Sequence, residues 1–266
     1  MAGTLTSGNS RKANDFGAAH VQTPLSVGEV TSVADQTKKK RPTRERIAEL
    51  AGNQPLLRID GLVAGYGKME ILHGIDLQVT AGQSLCLIGP NGAGKSTVLH
   101  SIYGFTNIMG GSITVNGTDI TRLGPNEKLK HAGIAYILQD NSVFPEMSVE
   151  ENLWMGGFLM DTPALAKEAA EKVFQKYTRL SERRRQRAGV LSGGERRLLE
   201  IARALVMEPL VLLVDEPSIG LEPRYIGMIF EILNDLQHGQ GKTIVMVEQN
   251  AKKGLEFADI GYVLVS

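Results

Sequence analysis

The chemically most specific feature of the sequence is a glycine-rich run that follows an apolar segment and ends in lysine and serine. Residues 84–88 are followed by Gly89, Pro90, Asn91, Gly92, Ala93, Gly94, Lys95, Ser96 and Thr97. This run satisfies G-x-x-x-x-G-K-[ST] in a strand, loop and helix context, which a plain glycine-rich turn need not do. Its backbone N–H groups and the following helix start suit an anion. The run predicts triphosphate binding, with Lys95 on the β- and γ-phosphates, Ser96 on Mg²⁺ and Thr97 on the α-phosphate.

A pair of acids at the end of an apolar strand is the second candidate. Asp215 and Glu216 follow the apolar residues 210–214. Solvated carboxylates at an ordinary strand end are the simpler interpretation, but the phosphate-binding run favours a coupled role. Because consecutive strand residues point to opposite sides, one acid can face a metal while the other faces the γ-phosphate. Asp215 is predicted to hold Mg²⁺, directly or through water, and Glu216 to polarise the attacking water.

Residues 191–195 have the sequence LSGGE, and this motif narrows the class of protein that the sequence indicates. With them, the sequence from about residue 56 to 266 resembles the nucleotide-binding subunits of ABC transporters. The resemblance implies an α/β fold: a P-loop NTPase, RecA-like core with a parallel sheet, an antiparallel β subdomain and a small helical subdomain. It also implies that Ser192, Gly193 and Gly194 bind the γ-phosphate of ATP held by another subunit. A head-to-tail ATPase dimer would then have two composite sites.

Single residues outside these motifs also resemble positions of the family. Tyr66 resembles the aromatic residue that stacks on adenine, and stacking is the physical use of an exposed aromatic ring beside a nucleotide. A tyrosine in a hairpin or in the core is the competing interpretation of Tyr66, since it lies between two glycines. Gln139, which follows the predicted strand 134–138, resembles the glutamine that senses Mg²⁺ and the attacking water.

The segment after Gln139 resembles the family's contact with the membrane subunit. The resemblance places residues 143–153 against that subunit. Ser148 and Glu151 also form an ordinary capping box, so a helix start competes for the same residues. The stretch from about 143 to 190 resembles the small helical subdomain.

Two positions depart from the general family pattern. Gln249 stands where a histidine is usual, and its amide can donate to the γ-phosphate but cannot titrate. Glu222 stands where an aspartate is usual. Together with residues 148–157, Gln249 and Glu222 form a pattern that resembles the ATPase subunits of branched-chain amino-acid importers. Urea and short-amide importers share much of this pattern and are the alternative.

The resemblance therefore implies an ATPase that energises an importer, with ATP and Mg²⁺ as cofactors. Its implied partners are a second ATPase subunit, two transmembrane permease subunits and, indirectly, a solute-binding protein, with no nucleic acid. The implied location is peripheral, at the cytoplasmic face of the cell membrane. Two other classes of protein are alternative interpretations of the sequence. A soluble ABC ATPase acting on ribosomes or DNA usually has a second module or a long coiled-coil insertion, and a regulatory subunit with little catalysis would fit Gln249.

The elements that must position these residues alternate between strands and helices. Strands are predicted at 56–59, 71–79, 84–88, 112–115, 134–138, 210–214, 243–247 and 260–265. Helices are predicted at 96–103, 163–177, 195–207, 224–237 and 251–257. This alternation predicts an α/β domain with a parallel core sheet.

The amino-acid composition and the distribution of apolar residues argue against several other classes of protein. The 266 residues include 29 basic and 29 acidic side chains, so overall charge does not favour nucleic acid or an acidic membrane as partner. One cysteine, Cys86, excludes an intrachain disulfide framework, and the five histidines do not fall at close metal-ligand spacing. No apolar run approaches the roughly 18 residues of a membrane span, and the amino terminus lacks an apolar signal core. We therefore expect an unexported chain.

The first 55 residues differ from the rest of the sequence in amino-acid composition. They are poor in large apolar side chains and include eight basic and five acidic residues, a net charge of +3. We predict a mostly disordered extension there. A solvated linker is the favoured interpretation of the basic residues 38–41, and contact with acidic lipid or nucleic acid is the alternative. Residues 56–266, with a net charge of −3, are predicted to form one ABC ATPase domain. The resemblance implies that family members continue through a further short strand pair and helix.

Overall fold

In the computed structural model, which describes residues 54–139 and 142–264, nine strands form two sheets. The strands are β1 (Leu57–Tyr66), β2 (Met69–Val79), β3 (Ser84–Ile88), β4 (Asn107–Val115), β5 (Thr118–Asp119), β6 (Ile134–Ile137), β7 (Val211–Asp215), β8 (Thr243–Val247) and β9 (Ile260–Val263). The predicted α/β fold is confirmed. The predictions for residues 1–53 and for residues 265 and 266 lie outside the described residues.

The parallel sheet has the strand order β6-β7-β8-β3-β9. Every residue of β3, β7 and β8 is buried, as their continuous apolar runs predict for strands covered on both faces. Because all five strands are parallel, their carboxyl ends lie at one edge. The segments that follow β6, β7, β8 and β3 therefore leave the sheet side by side. Ligands of open α/β sheets bind at such an edge.

The antiparallel sheet has the order β2-β1-β4-β5. The sequence predicted that β1 would end at residue 59, whereas β1 continues to Tyr66. Gly61 interrupts the apolar pattern there and has a φ of 56°. The pairing of β1 with β2 shifts register between Ile59 and Leu62, so a bulge absorbs the glycine and the strand continues.

Eight α-helices connect the described strands. They are α1 (Lys95–Tyr103), α2 (Pro125–Ala132), α3 (Val149–Gly156), α4 (Pro163–Lys176), α5 (Thr178–Glu182), α6 (Gly193–Leu205), α7 (Pro223–Asn234) and α8 (Ala251–Phe257). A 3₁₀ turn lies at Ala188–Val190 and a π-helical turn at Asp235–Gly239. The predicted helices did not include α2, α3 or α5, which are short, although the capping box of Ser148 and Glu151 indicated where α3 begins. The sequence prediction also began α6 two residues late, because Ser192 caps the helix and Gly193 is its first residue.

Two hydrophobic clusters cover the two faces of the parallel sheet. One joins sheet residues such as Val214 to Leu153 and Phe174 of α3 and α4. The other joins Leu213 to Leu99 of α1 and to Ile113 of the antiparallel sheet. Helix α1 is thus held between the two sheets, which orients its first residues. The division into a domain at 56–266 and a helical subdomain at about 143–190 stays a prediction.

None of the helices in the described ranges is both long and apolar enough to cross a lipid bilayer.

Candidate nucleotide site

The loop between β3 and α1 has the backbone that the glycine-rich run predicts. Gly94, at the start of α1, has a φ of 87°, a left-handed conformation that side chains disfavour. A Cβ at Gly94 would also lie 2.8 Å from Cδ2 of Leu72. A Cβ at Gly89 would lie 2.4 Å from the carbonyl oxygen of Leu264. Glycine is therefore required at both ends of the loop, for conformation and for close approach. Pro90, Asn91, Gly92 and Ala93 lie between these ends.

Lys95, the first residue of α1, folds back over this loop. Its Nζ donates to the carbonyl oxygens of Gly89 and Pro90, at 3.1 Å each. The residue is buried, and this burial lowers the pKa of Lys95, while the charges of Glu216 and Asp215 act in the opposite direction. The amine is therefore held at the loop by backbone carbonyls that a phosphate oxygen could replace. Thr97 is buried two residues further along α1.

Ser96 and Asp215 are brought together from distant parts of the chain. Ser96 Oγ donates to Asp215 Oδ1 at 3.1 Å, and the hydroxyl of Tyr136 donates to Asp215 Oδ2 at 2.8 Å. A hydroxyl and a carboxylate are hard oxygen donors that fit Mg²⁺, which is usually bound through one or two carboxylates together with phosphate oxygens and water. Within the described ranges, no three His, Cys, Asp or Glu side chains are grouped so that they could hold a metal ion. The donor set thus fits a metal that is bound together with a nucleotide.

Glu216 lies between two glutamine amides. Gln139 Nε2 donates to Glu216 Oε2 at 2.9 Å, and Gln249 Nε2 donates to Glu216 Oε1 at 2.7 Å. The strand order explains the arrangement, because β7 is flanked by β6 and β8 and the three residues follow these strands. The backbone φ angle of Glu216 is 44°, a value that is uncommon for residues other than glycine. The N–H of Glu216 donates to the carbonyl oxygen of Val247 at 2.9 Å. Such backbone strain clusters at functional sites.

Tyr66 ends β1 at the hairpin that leads to β2, and its side chain is 43% exposed. Its hydroxyl pairs with Nδ1 of His100 on α1. Burial lowers the pKa of His100, which favours the neutral imidazole that can accept this hydrogen bond. Tyr66 is therefore a hairpin residue with an accessible ring. Stacking on adenine stays a prediction.

Ser192 makes its side-chain hydrogen bonds within its own helix. Its Oγ donates to Glu195 Oε2 at 3.0 Å and accepts from the N–H of Glu195 at 3.3 Å. Gly193 is exposed at the first position of α6. A Cβ at Gly194 would lie 2.1 Å from Cδ1 of Tyr225, so a side chain has no room there.

Sequence reasoning missed Tyr136 and Arg197. The hydroxyl of Tyr136 is the second hydrogen-bond donor to Asp215, and burial and the neighbouring charge of Asp215 raise the pKa of this tyrosine. A tyrosine within the otherwise apolar strand β6 was the available signal. Arg197 contacts the ends of β6 and β7 and pairs with Glu200. Opposite charges three residues apart inside an apolar stretch of helix were its signal.

Comparison with known proteins identifies the family to which the chain belongs. The family model described as ABC transporter matches residues 72–219. The chain therefore belongs to the ABC transporter family, as an ATP-binding subunit that hydrolyses ATP. It is 43% identical over 209 residues to the high-affinity branched-chain amino acid transport ATP-binding protein BraG of Pseudomonas aeruginosa, covering 79% of this chain and 88% of that protein.

A second relative and a solved structure extend the comparison. The probable branched-chain amino acid transport ATP-binding protein LivF of Archaeoglobus fulgidus is 38% identical over 211 residues, which cover 79% of this chain and 89% of that protein. The crystal structure of a nucleotide-free ATP-binding cassette from an ABC transporter matches with a TM-score of 0.71 and 32% identity, covering 79% of this chain and 87% of that one.

Proposed function

We propose that this ATPase uses Mg-ATP at two shared sites to drive permease subunits that import branched-chain amino acids. The observation that carries the catalytic part is the position of Glu216, held between two amides beside the Ser96–Asp215 pair. The names of the relatives BraG and LivF support the choice of solute. The peripheral location at the cytoplasmic face of the membrane belongs to the same proposal.

The roles of the residues follow from their chemistry. The loop N–H groups and Lys95 bind the phosphates, while Ser96 and Asp215, together with Gln139, hold Mg²⁺. Bound Mg²⁺ neutralises charge on the phosphates. Glu216 polarises the attacking water, since its carboxylate has lone pairs beyond the two that the glutamine amides use. Gln139 and Gln249 orient that carboxylate. The catalysis is mainly positioning and charge stabilisation.

A second ATPase subunit, either a copy of this chain or a related one, completes each site. Ser192, Gly193 and Gly194 lie at the N-terminus of α6, where backbone N–H groups and the helix dipole favour an anion. We assign to them the γ-phosphate of ATP held by the other subunit. ATP binding then closes the dimer and hydrolysis reopens it, and this motion drives the exchange between inward- and outward-facing permeases.

An apolar groove supports docking of a permease subunit. The groove has a volume of about 330 Å³, and several of its lining residues are large exposed apolar side chains: Phe105, Leu138, Phe144, Met155 and Phe158. Contiguous apolar surface of this kind is typical of interaction sites. It includes Phe144 of the segment 143–153, for which the resemblance to the family implies this contact.

The substitution Glu216→Gln tests the catalytic assignment. The variant should bind ATP with unchanged affinity, lose at least about 100-fold in the rate of hydrolysis and accumulate as an ATP-bound dimer, because its amide cannot act as a base. Nucleotide affinity, phosphate release and size-exclusion chromatography measure the three properties. Glu256→Gln, at an exposed position, is the matched control. Wild-type turnover in Glu216→Gln would remove Glu216 from this role.

The solute is tested in liposomes that contain the complete transporter. Solute-binding protein loaded with leucine should stimulate the ATPase, whereas protein loaded with urea should not. Stimulation by urea alone would replace the proposed solute by the short-amide alternative. An ATPase rate that stays negligible with the permeases present would indicate a regulatory subunit.

A further inference from the structure

The arginine at position 197 is buried in the middle of the site's scaffold. It lies on α6, is 5% exposed, and makes three contacts with its guanidinium group. Nη1 donates to the carbonyl oxygen of Leu138 at 2.6 Å and to Glu200 Oε2 at 2.8 Å. Nη2 donates to the carbonyl oxygen of Asp215 at 3.0 Å. One side chain thus joins α6 to the ends of two neighbouring strands.

Glu200 extends the same connection. It is 6% exposed, and its second oxygen, Oε1, accepts from the N–H of Ser142 at 2.9 Å. The ion pair therefore also holds the backbone of Ser142, three residues after Gln139 in the sequence. Both of its charges are removed from water and satisfied by hydrogen bonds.

The backbone groups that Arg197 holds belong to residues adjacent to the catalytic candidates. Leu138 precedes Gln139, and Asp215 precedes Glu216. The side chains of Gln139 and Glu216 are themselves joined at 2.9 Å. A shift of either carbonyl relative to α6 would change this contact.

A contribution to stability does not by itself explain why the ion pair of Arg197 and Glu200 is buried at this position. Burying two charges costs desolvation energy, and apolar residues of similar volume often replace a buried ion pair without loss of stability. A planar guanidinium, in contrast, offers several donors in a rigid fork, which defines the relative position of the groups it binds. The contacts with two strand ends use this property.

We propose that Arg197, supported by Glu200, is a positioning residue that sets the geometry of Gln139 and Glu216 relative to α6. Since the N-terminus of α6 carries Ser192, the residue connects the part of the subunit assigned to the partner's nucleotide with the base of its own site. The inference rests on the proposed function for the roles of Glu216 and Ser192.

Two variants of the full chain test the proposal. Arg197→Lys keeps the charge beside Glu200, but a single ammonium group cannot span both carbonyl groups. Arg197→Met with Glu200→Met removes both charges and keeps similar volumes. Arg197→Met alone would leave Glu200 buried without its partner, so it is not used. The control is Arg58→Gln with Asp60→Asn, which removes an exposed ion pair on β1.

Both variants should fold with wild-type circular dichroism and should bind ATP with an affinity within twofold of the wild type. Their kcat should fall at least tenfold, whereas KM stays within twofold. Amide hydrogen exchange should accelerate at least tenfold in the peptides that cover residues 134–139 and 211–216. The control variant should match the wild type in all these measurements.

Wild-type kcat in both folded variants, or unchanged exchange in the two peptides, would overturn the proposal. If the wild type shows no ATP hydrolysis, the proposed function fails instead. The exchange measurement then still decides whether Arg197 holds the two strand ends.

Discussion

Replacing Lys128 by methionine is expected to change how the free energy of unfolding depends on pH. Lys128 lies on α2, is fully buried, and donates from Nζ to the carbonyl oxygen of Ser101 at 3.2 Å. Ser101 is in the last turn of α1, where carbonyl groups lack helical partners. Lys128 therefore caps the helix whose first residues are Lys95 and Ser96, and a cation is favourable at that end.

The magnitude follows from the shift in pKa. Burial lowers the pKa of Lys128 from 10.5 to about 8, although the charge of Asp119 opposes the shift. At about 1.36 kcal/mol per pKa unit, holding the proton in the folded state costs about 3 kcal/mol at pH 7. Between the two pKa values the unfolded chain binds more protons than the folded chain, so stability rises with pH. By pH 9.5 the folded lysine is neutral, and about 2 kcal/mol of the cost is recovered.

The assay is urea unfolding followed by circular dichroism at pH 7 and at pH 9.5. The free energy of unfolding of the wild type minus that of Lys128→Met should increase by about 2 kcal/mol between these values. Taking the difference cancels titrations that both proteins share. Lys130→Met, on the same helix but at an exposed ion pair with Asp161, should show no such increase. A difference for Lys128→Met that stays constant within about 0.5 kcal/mol would refute the reasoning.

Three further substitutions test the site. Lys95→Ala should weaken ATP binding at least about tenfold, because it removes a charged donor to phosphate, and unchanged affinity in a titration would exclude the phosphate-loop assignment. Gly194→Ala should lower the free energy of unfolding by about 1–3 kcal/mol through the clash with Tyr225, and the loss should disappear in a Tyr225→Ala background. Tyr136→Phe should raise the Mg²⁺ concentration for half-maximal ATP hydrolysis about tenfold, since Asp215 loses a hydrogen bond, while ATP affinity measured without Mg²⁺ stays constant. An unchanged Mg²⁺ requirement would show that this hydroxyl does not orient Asp215.

Elements with strong local signals were predictable. The strands β3 and β8 and the helix α8 have the predicted bounds, because an apolar run of strand length or a helical pattern between turn residues identifies them. The extension of β1 to Tyr66 was not predictable from local pattern. Its bulge at Gly61 is stabilised by pairing with β2 and β4, strands that lie further along the chain.

The sequence by itself determined the identities and spacing of the phosphate-binding run, the acids at 215 and 216, and the family, because each depends on residues that are consecutive or nearly so. Tertiary structure alone decided which distant side chains meet. The order of β6, β7 and β8 places Gln139 and Gln249 on either side of Glu216, and packing of α6 brings Arg197 to both strand ends. Such contacts join residues far apart in the chain, so they arise from the order of the strands and from burial rather than from any local pattern.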